Sequence, residues 1–249
     1  MKTVCFRFYG EITELLNCDH YQGYLLHKFS GRQTVKDRVE SLGIPHTEVD
    51  LILREDEFLE FSYLVRAGDR ISVYPPWQEI AVPEEHRLQP PEPKPVSFVL
   101  DAHLGKLASY LRIMGFDTLY RNDFDDWELA QIQAEKKRIL LSRDKGLLKR
   151  KKVKWGSLLY SDNPRVQLRE VLSRYNLYDK INEFGRCPEC NRQLEVVDKS
   201  EIVDRLEPLT KKYFQFFKMC PGCEKIYWRG SHYQHIQGLI SNIREEAGR

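Results

Sequence analysis

The sequence predicts an α/β protein in three parts: a strand-rich front module, a central parallel sheet with crossover helices, and a small zinc ribbon at the back. Three observations predict it. A proline-dense stretch between residues 83 and 95 separates an acidic front from a basic back. Short apolar runs then alternate with helical periodicities in the order β-α-β-α-β-α-β, which implies a parallel sheet with right-handed crossovers. Two Cys-x-x-Cys pairs follow, Cys187 with Cys190 and Cys220 with Cys223.

At 249 residues, 41% hydrophobic and 31% charged, the composition excludes a disordered chain and a membrane protein. No apolar run approaches the ~20 residues that span a bilayer. The start, MKTVCFRFYGE, lacks the apolar core of a secretory signal. A soluble cytoplasmic protein is expected, with reduced cysteines, so paired cysteines read as metal ligands before disulfides. The net charge of +2 hides an asymmetry. Residues 1–82 carry 9 Lys/Arg and 13 Asp/Glu, whereas residues 96–249 carry 28 and 21. A basic back faces something anionic. Five prolines lie among residues 83–95, and proline fixes φ and removes donors, so this stretch reads as a stiff, extended linker. The expected division is a front domain at 1–82, the linker at 83–95, an α/β domain at 96–180 and a zinc-ribbon domain at 181–249.

In the front module, VCFRFYG (4–10) alternates with Val4, Phe6 and Phe8 on one face, and YLLHKFS (24–30) is a second strand. TVKDRVESLGI is a helix capped by Thr34 and stopped at Gly43. EVDLILRE (48–55) and DRISVYP (69–75) are later strands. This order resembles the β-grasp, ubiquitin-like fold of small sulfur carriers. Those carriers end in a Gly-Gly, and here the chain runs on through Pro75-Pro76-Trp77. The module therefore reads as a docking or nucleic-acid-positioning element, for a protein partner the sequence does not name. Cys5 and Cys18 read as ordinary thiols.

In the middle, VSFVL (96–100) ends at Asp101, RILLSRD (138–144) at Asp144 and GSLLYSD (156–162) at Asp162. The helices are HLGKLASYLRIMG, DDWELAQIQAEKK and NPRVQLREVLSRY, the last capped by Asp162 or Asn163. Strand ends of a parallel sheet share one edge, where ligands bind. Asp101, Asp144 and Asp162, joined by Asp125 or Asp126 from a helix start, would gather there. Carboxylates so gathered need a divalent cation, and hard oxygen ligands select Mg²⁺ or Mn²⁺. Such ions serve phosphodiester hydrolysis. An Asp between strand and helix is also commonly an N-cap. Asp125 is the clearest cap, which leaves Asp126 as the better ligand.

FVLDAHLGKLASYLRIMGFDTLY, RILLSRD, the paired cysteines and YWRGSH together resemble the Mut-seven C-terminal ribonuclease family, whose members are similar to PIN-domain nucleases with a zinc ribbon, often behind a ubiquitin-like domain. The resemblance implies a metal-dependent ribonuclease, with Asp101 and Asp144 at the family's strand-end and Ser/Thr-Arg-Asp positions. Asp126, or its neighbour Asp125, would be the helix-start acid; Asp162 is the weakest match. The implied partner is RNA, tRNA and other structured RNA included. A non-catalytic RNA-binding or ribosome-associated adaptor is the alternative.

Arg143 and the run KGLLKRKKVKW place Lys145, Lys149, Arg150, Lys151 and Lys152 just beyond Asp144, where cations would hold phosphates. A solvated surface loop is the other reading. Arg112, on the helix after Asp101, could assist or simply belong to a polar helix face. Cys187, Cys190, Cys220 and Cys223 match structural Zn²⁺, with an inserted helix (200–213) lengthening the gap between pairs. Around them stand aromatics and cations, among them Trp228 and His232, which either stack bases and hold phosphates or form the ribbon's own core.

Overall fold

A computed structural model describes residues 2–17, 23–76, 82–230, 237–238 and 240–241. Cys18 and His232 lie outside the described residues.

The front module is built from β1 (Lys2–Phe8), β2 (Leu25–Phe29), α1 (Val35–Ser41), β3 (Leu51–Arg54), β4 (Glu57–Phe58) and β5 (Arg70–Tyr74). Its sheet runs β2-β1-β5-β3-β4, with β1 parallel to β5 and the other pairs antiparallel. This is the β-grasp arrangement. Alternation in β1 buries Val4, Phe6 and Phe8, and α1 adds buried Val35 and Val39. Thr34 and Asp37 start α1 with a reciprocal capping box. Leu42 closes it and Gly43 follows at φ +109, where any side chain would also meet the Leu15 carbonyl. The expected strand at 48–55 begins only at Leu51, because residues 46–48 form a 3-10 turn.

Next come β6 (Phe98–Leu100), α2 (Gly105–Ile113), β7 (Thr118–Tyr120), α3 (Asp126–Lys136), β8 (Ile139–Ser142), α4 (Lys145–Leu148), β9 (Gly156–Leu158) and α5 (Pro164–Arg174). β6 and β9 flank β8, and both pairings are parallel. Every residue of these three strands is buried, as expected of parallel strands covered on both faces. β9 stops at Leu158, short of Asp162. The side chain of Asn163, not Asp162, accepts from the Arg165 N–H and caps α5.

The last part holds β10 (Glu195–Val197), α6 (Lys199–Ile202), α7 (Pro208–Tyr213), β11 (Phe217–Met219) and β12 (Ile226–Trp228). β10, β11 and β12 form an antiparallel three-stranded ribbon. The helix expected over 200–213 is broken in two. Pro208 starts α7 and holds Glu207 extended at ψ 148, so one continuous helix is not available.

Packing divides the chain into two compact units: residues 1–101 with 123–160, and residues 102–122 with 161–249. In the first unit the front module and the parallel strands are bonded through buried groups. The Glu48 carboxylate accepts the Leu158 N–H at 2.8 Å. The His46 ring lies 2.9 Å from the Val153 carbonyl and 2.7 Å from the Glu40 carboxylate. A Cβ on Gly156 would come within 3.0 Å of Thr47. The proline-rich segment is pinned as well as stiff. Arg87 pairs with buried Asp50 at 2.6 Å, Gln89 donates to the carbonyls of His46 and Val49, and Trp155 donates to the Pro91 carbonyl. In the second unit, α2 packs Leu107, Ala108 and Leu111 inward, and α5 packs Leu168, Val171 and Leu172.

Candidate functional site

Asp101 follows β6 directly and its N–H still donates to Leu141 on β8. The Ser142 hydroxyl, at the end of β8, donates to Asp101 Oδ2 at 2.7 Å and accepts the Asp144 N–H at 2.9 Å. One buried hydroxyl thus ties the acids ending two neighbouring parallel strands. Asp144 is also a cap: its Oδ1 accepts the Gly146 N–H at 2.6 Å and starts α4. A Cβ on Gly146 would lie 3.0 Å from that oxygen, so glycine allows the close turn.

Asp125 is the N-cap of α3, accepting from the Glu128 N–H at 2.7 Å. Asp126 pairs with Arg150 at 2.9 Å on the surface. Among the described residues, the four cysteines are the one group of three or more acid, histidine or thiol ligands gathered within 4.8 Å of one another. Asp101 and Asp144 therefore belong to no tight cluster of three such ligands among the described residues.

The cations divide. Lys145 donates to the Leu15 carbonyl at 2.9 Å and Lys149 to the Glu40 carbonyl at 2.7 Å. Both are engaged with the front module. Burial pulls the Lys149 ammonium below its ordinary range, against the opposing Glu40 charge. Lys152 donates to Gln131 and stands over exposed Trp127 at 5.9 Å, a ring the motif reading passed over. Arg143 and Lys151 are exposed.

Arg112 is placed otherwise than a polar helix face suggests. It is buried, with its guanidinium donating to Thr118, Pro188 and Glu189 carbonyls at 2.9–3.0 Å. Pro188 and Glu189 are the middle residues of the first cysteine pair. Arg112 therefore fastens that loop to α2. Burial lowers its pKa; Cys187, Cys190, Glu189 and Asp117 oppose the shift. Asn191 adds a second fastening, accepting the Thr118 N–H and donating to Asp117.

The two cysteine loops fold alike. Asn191 N–H donates to the Cys187 carbonyl and Glu224 N–H to the Cys220 carbonyl. The residue after each second cysteine has positive φ, 69° at Asn191 and 57° at Glu224. The four sulfurs lie within 4.8 Å of one another, with nearest pairs at 3.6 and 3.2 Å. Four Zn–S bonds of ~2.3 Å in a tetrahedron require sulfurs ~3.8 Å apart, and a disulfide requires ~2.05 Å. The donor set and its spacing fit zinc. Burial, with the neighbouring thiols, pushes the Cys190 thiol up to about 12. Burial also opposes ionisation at Cys220, but N–H groups of Cys223 and Gly222 outweigh it and bring the thiol down to about 7. The Tyr227 hydroxyl lies 3.1 Å from Cys187 Sγ; burial, then this contact, raises its pKa. Ser142 has no role in the sequence reading, although it sits inside a quoted motif, and Tyr227 is read there only among the ribbon's aromatics.

Among the described residues no helix is long and apolar enough to cross a membrane. No curated protein and no solved structure matches the chain. The family model described as Mut7-C ubiquitin matches residues 1–81, the β-grasp module. The model described as Mut7-C RNAse domain matches residues 96–240, which include Asp101, Ser142, Asp144 and all four cysteines. With more than half its length inside that match, the chain belongs to the Mut7-C RNAse domain family, and it carries the family's ubiquitin-like domain in front.

Proposed function

We propose that this protein is a metal-dependent ribonuclease that hydrolyses RNA phosphodiester bonds at Asp101 and Asp144. The observation that carries the reading is the Ser142 hydroxyl joining both acids at the ends of β6 and β8. Mg²⁺ characteristically takes one or two carboxylates and completes its shell with water and substrate phosphate, so a pair of acids suffices. Mn²⁺ accepts the same hard oxygen donors. Asp101 and Asp144 would hold the ion; each carboxylate has lone pairs beyond those used by Ser142 and Gly146. A divalent ion held there would supply an activated water and offset charge on the phosphate.

Asp125 serves as a cap in this reading. Asp126 joins the site only if Arg150 releases it, and Asp162 has no role. Arg143, Lys151 and Lys152 hold the strand's phosphates, with Arg150 joining them if its pair with Asp126 opens. Four cysteines in a zinc-matched geometry suit a reducing cytoplasm.

Two observations favour a non-catalytic RNA-binding adaptor instead: Asp144 already caps α4 and Asp126 is already paired. Purified protein with Mn²⁺ and labelled single-stranded RNA or tRNA separates the two. A ribonuclease cuts, and Asp101→Asn and Asp144→Asn each lose about 100-fold or more while still binding RNA, the scale for losing one group that stabilises developing charge. Undiminished cutting by both variants would overturn the proposal. So would RNA binding without any cutting, which is the adaptor's signature.

A further inference from the structure

The ribbon carries a cleft of about 320 Å³, near the lower end of ligand-sized pockets, lined in part by Phe184, Phe216, Trp228, Lys218, Arg229 and Glu183. All of these belong to one compact unit. None of the four cysteines lines it, so the zinc-matched cluster does not explain it. Two of its rings face water: Phe216 is 77% exposed and Trp228 36%. A small domain seeking only a core would bury them.

The Trp228 ring is held before any ligand arrives. β12 places Trp228 opposite Phe217 of β11, and both Phe214 and Phe217 lean against the indole at 6.5 Å and about 50°. Ordering this ring on binding therefore costs little entropy. The charged side chains lining the cleft are net positive, Lys218 and Arg229 against Glu183. Lys218 is fixed by donating to the Phe184 carbonyl at 2.9 Å.

We infer that this cleft takes an unpaired base of single-stranded RNA, stacked on Trp228 and Phe216, with the flanking phosphate drawn to Arg229. The inference rests on the ribonuclease reading for its choice of RNA. Aromatic faces with cations beside them suit a base and its backbone together. A paired base is already stacked on its neighbours and cannot enter. The cleft therefore selects single strands, loops and frayed ends.

The test uses the full-length, zinc-loaded Asp101→Asn protein, which would bind without cutting. Anisotropy of a labelled single-stranded 10-mer is compared with that of the same sequence as a duplex. Phe216→Ala and Trp228→Ala, each added to this background, should bind the single strand about 10-fold more weakly, the loss of one stacked base. Binding of the duplex should not change. Arg229→Gln should flatten the dependence of log K on log salt by about 0.7, one phosphate contact on a single strand. Zinc content is measured on every variant; should Trp228→Ala lose metal, the exposed Phe216 decides. Undiminished binding by zinc-loaded Phe216→Ala would overturn the base site and give the cleft to a different occupant, such as a protein segment. Cutting by the parent protein, assayed in parallel, would leave the ribonuclease reading standing in that case. No RNA binding and no cutting would remove both.

Discussion

Ser142 has the shortest side chain at the acidic edge and holds it together, donating to one acid and accepting from the backbone of the other. Ser142→Ala should lower Mn²⁺-dependent cleavage by about 10–100-fold, as loss of a group orienting metal ligands does. The amount of Mn²⁺ needed for half-maximal rate should rise, and Ser142→Thr should restore much of both; a titration of single-turnover rate against Mn²⁺ checks this. Substitution separates the cap role of Asp144 from its proposed catalytic one. Asn caps a helix as well as Asp does, so Asp144→Asn should melt like the parent yet fail to cut, whereas Asp144→Ala should also lose about 1 kcal/mol. At the ribbon, the sign of the pH response follows from the thiols. Zinc takes thiolates, so uptake at neutral pH expels a proton from Cys190, whose thiol stands at about 12. Cys220, at about 7, is largely ionised above neutrality and takes up a proton below it. Zinc affinity should therefore rise with pH and fall more steeply below about pH 7, which chelator competition across a pH series measures.

Elements that the sequence pattern places well are those whose cause is local. Val4, Phe6 and Phe8 alternate because β1 has one buried face, and Thr34 begins α1 because it can cap it. Asp101 and Asp144 were legible as strand-end acids for the same reason. Partners distant in the chain were not. Arg112 sits at a helical position that looks polar, yet two of its three carbonyl partners lie 76 and 77 residues away. Lys145 and Lys149 read as a free basic run because nothing near them names the carbonyls of Leu15 and Glu40. Arg112→Met should leave the buried Thr118 carbonyl without this donor, a loss of about 1–3 kcal/mol. Faster zinc transfer to a chelator should accompany it, since the Cys187 loop then has one fastening fewer.

On the scale of the whole molecule, the ubiquitin-like module is not an appendage. Glu48 and His46 supply partners for Leu158 and Val153, and the segment after β5 is pinned across both. A fragment starting at residue 96 bares the surface around Gly156 and Leu158 that the front module covers, and loses that burial from a typical total stability of only about 5–15 kcal/mol. It should be recovered aggregated, and co-expressing residues 1–95 should return part of it to the soluble fraction; gel filtration reads both. The division of the chain into two units also carries a consequence for its biosynthesis. The polypeptide leaves one unit after Asp101, returns after Asn122 and leaves again after Tyr160. A nascent chain therefore cannot finish either body in one pass. Helix α2 emerges well before α5 and the ribbon that cover it, and waits with its apolar side bare for translation to supply them. Such a chain calls on holdase chaperones during this interval, although its finished form packs in two tight bodies.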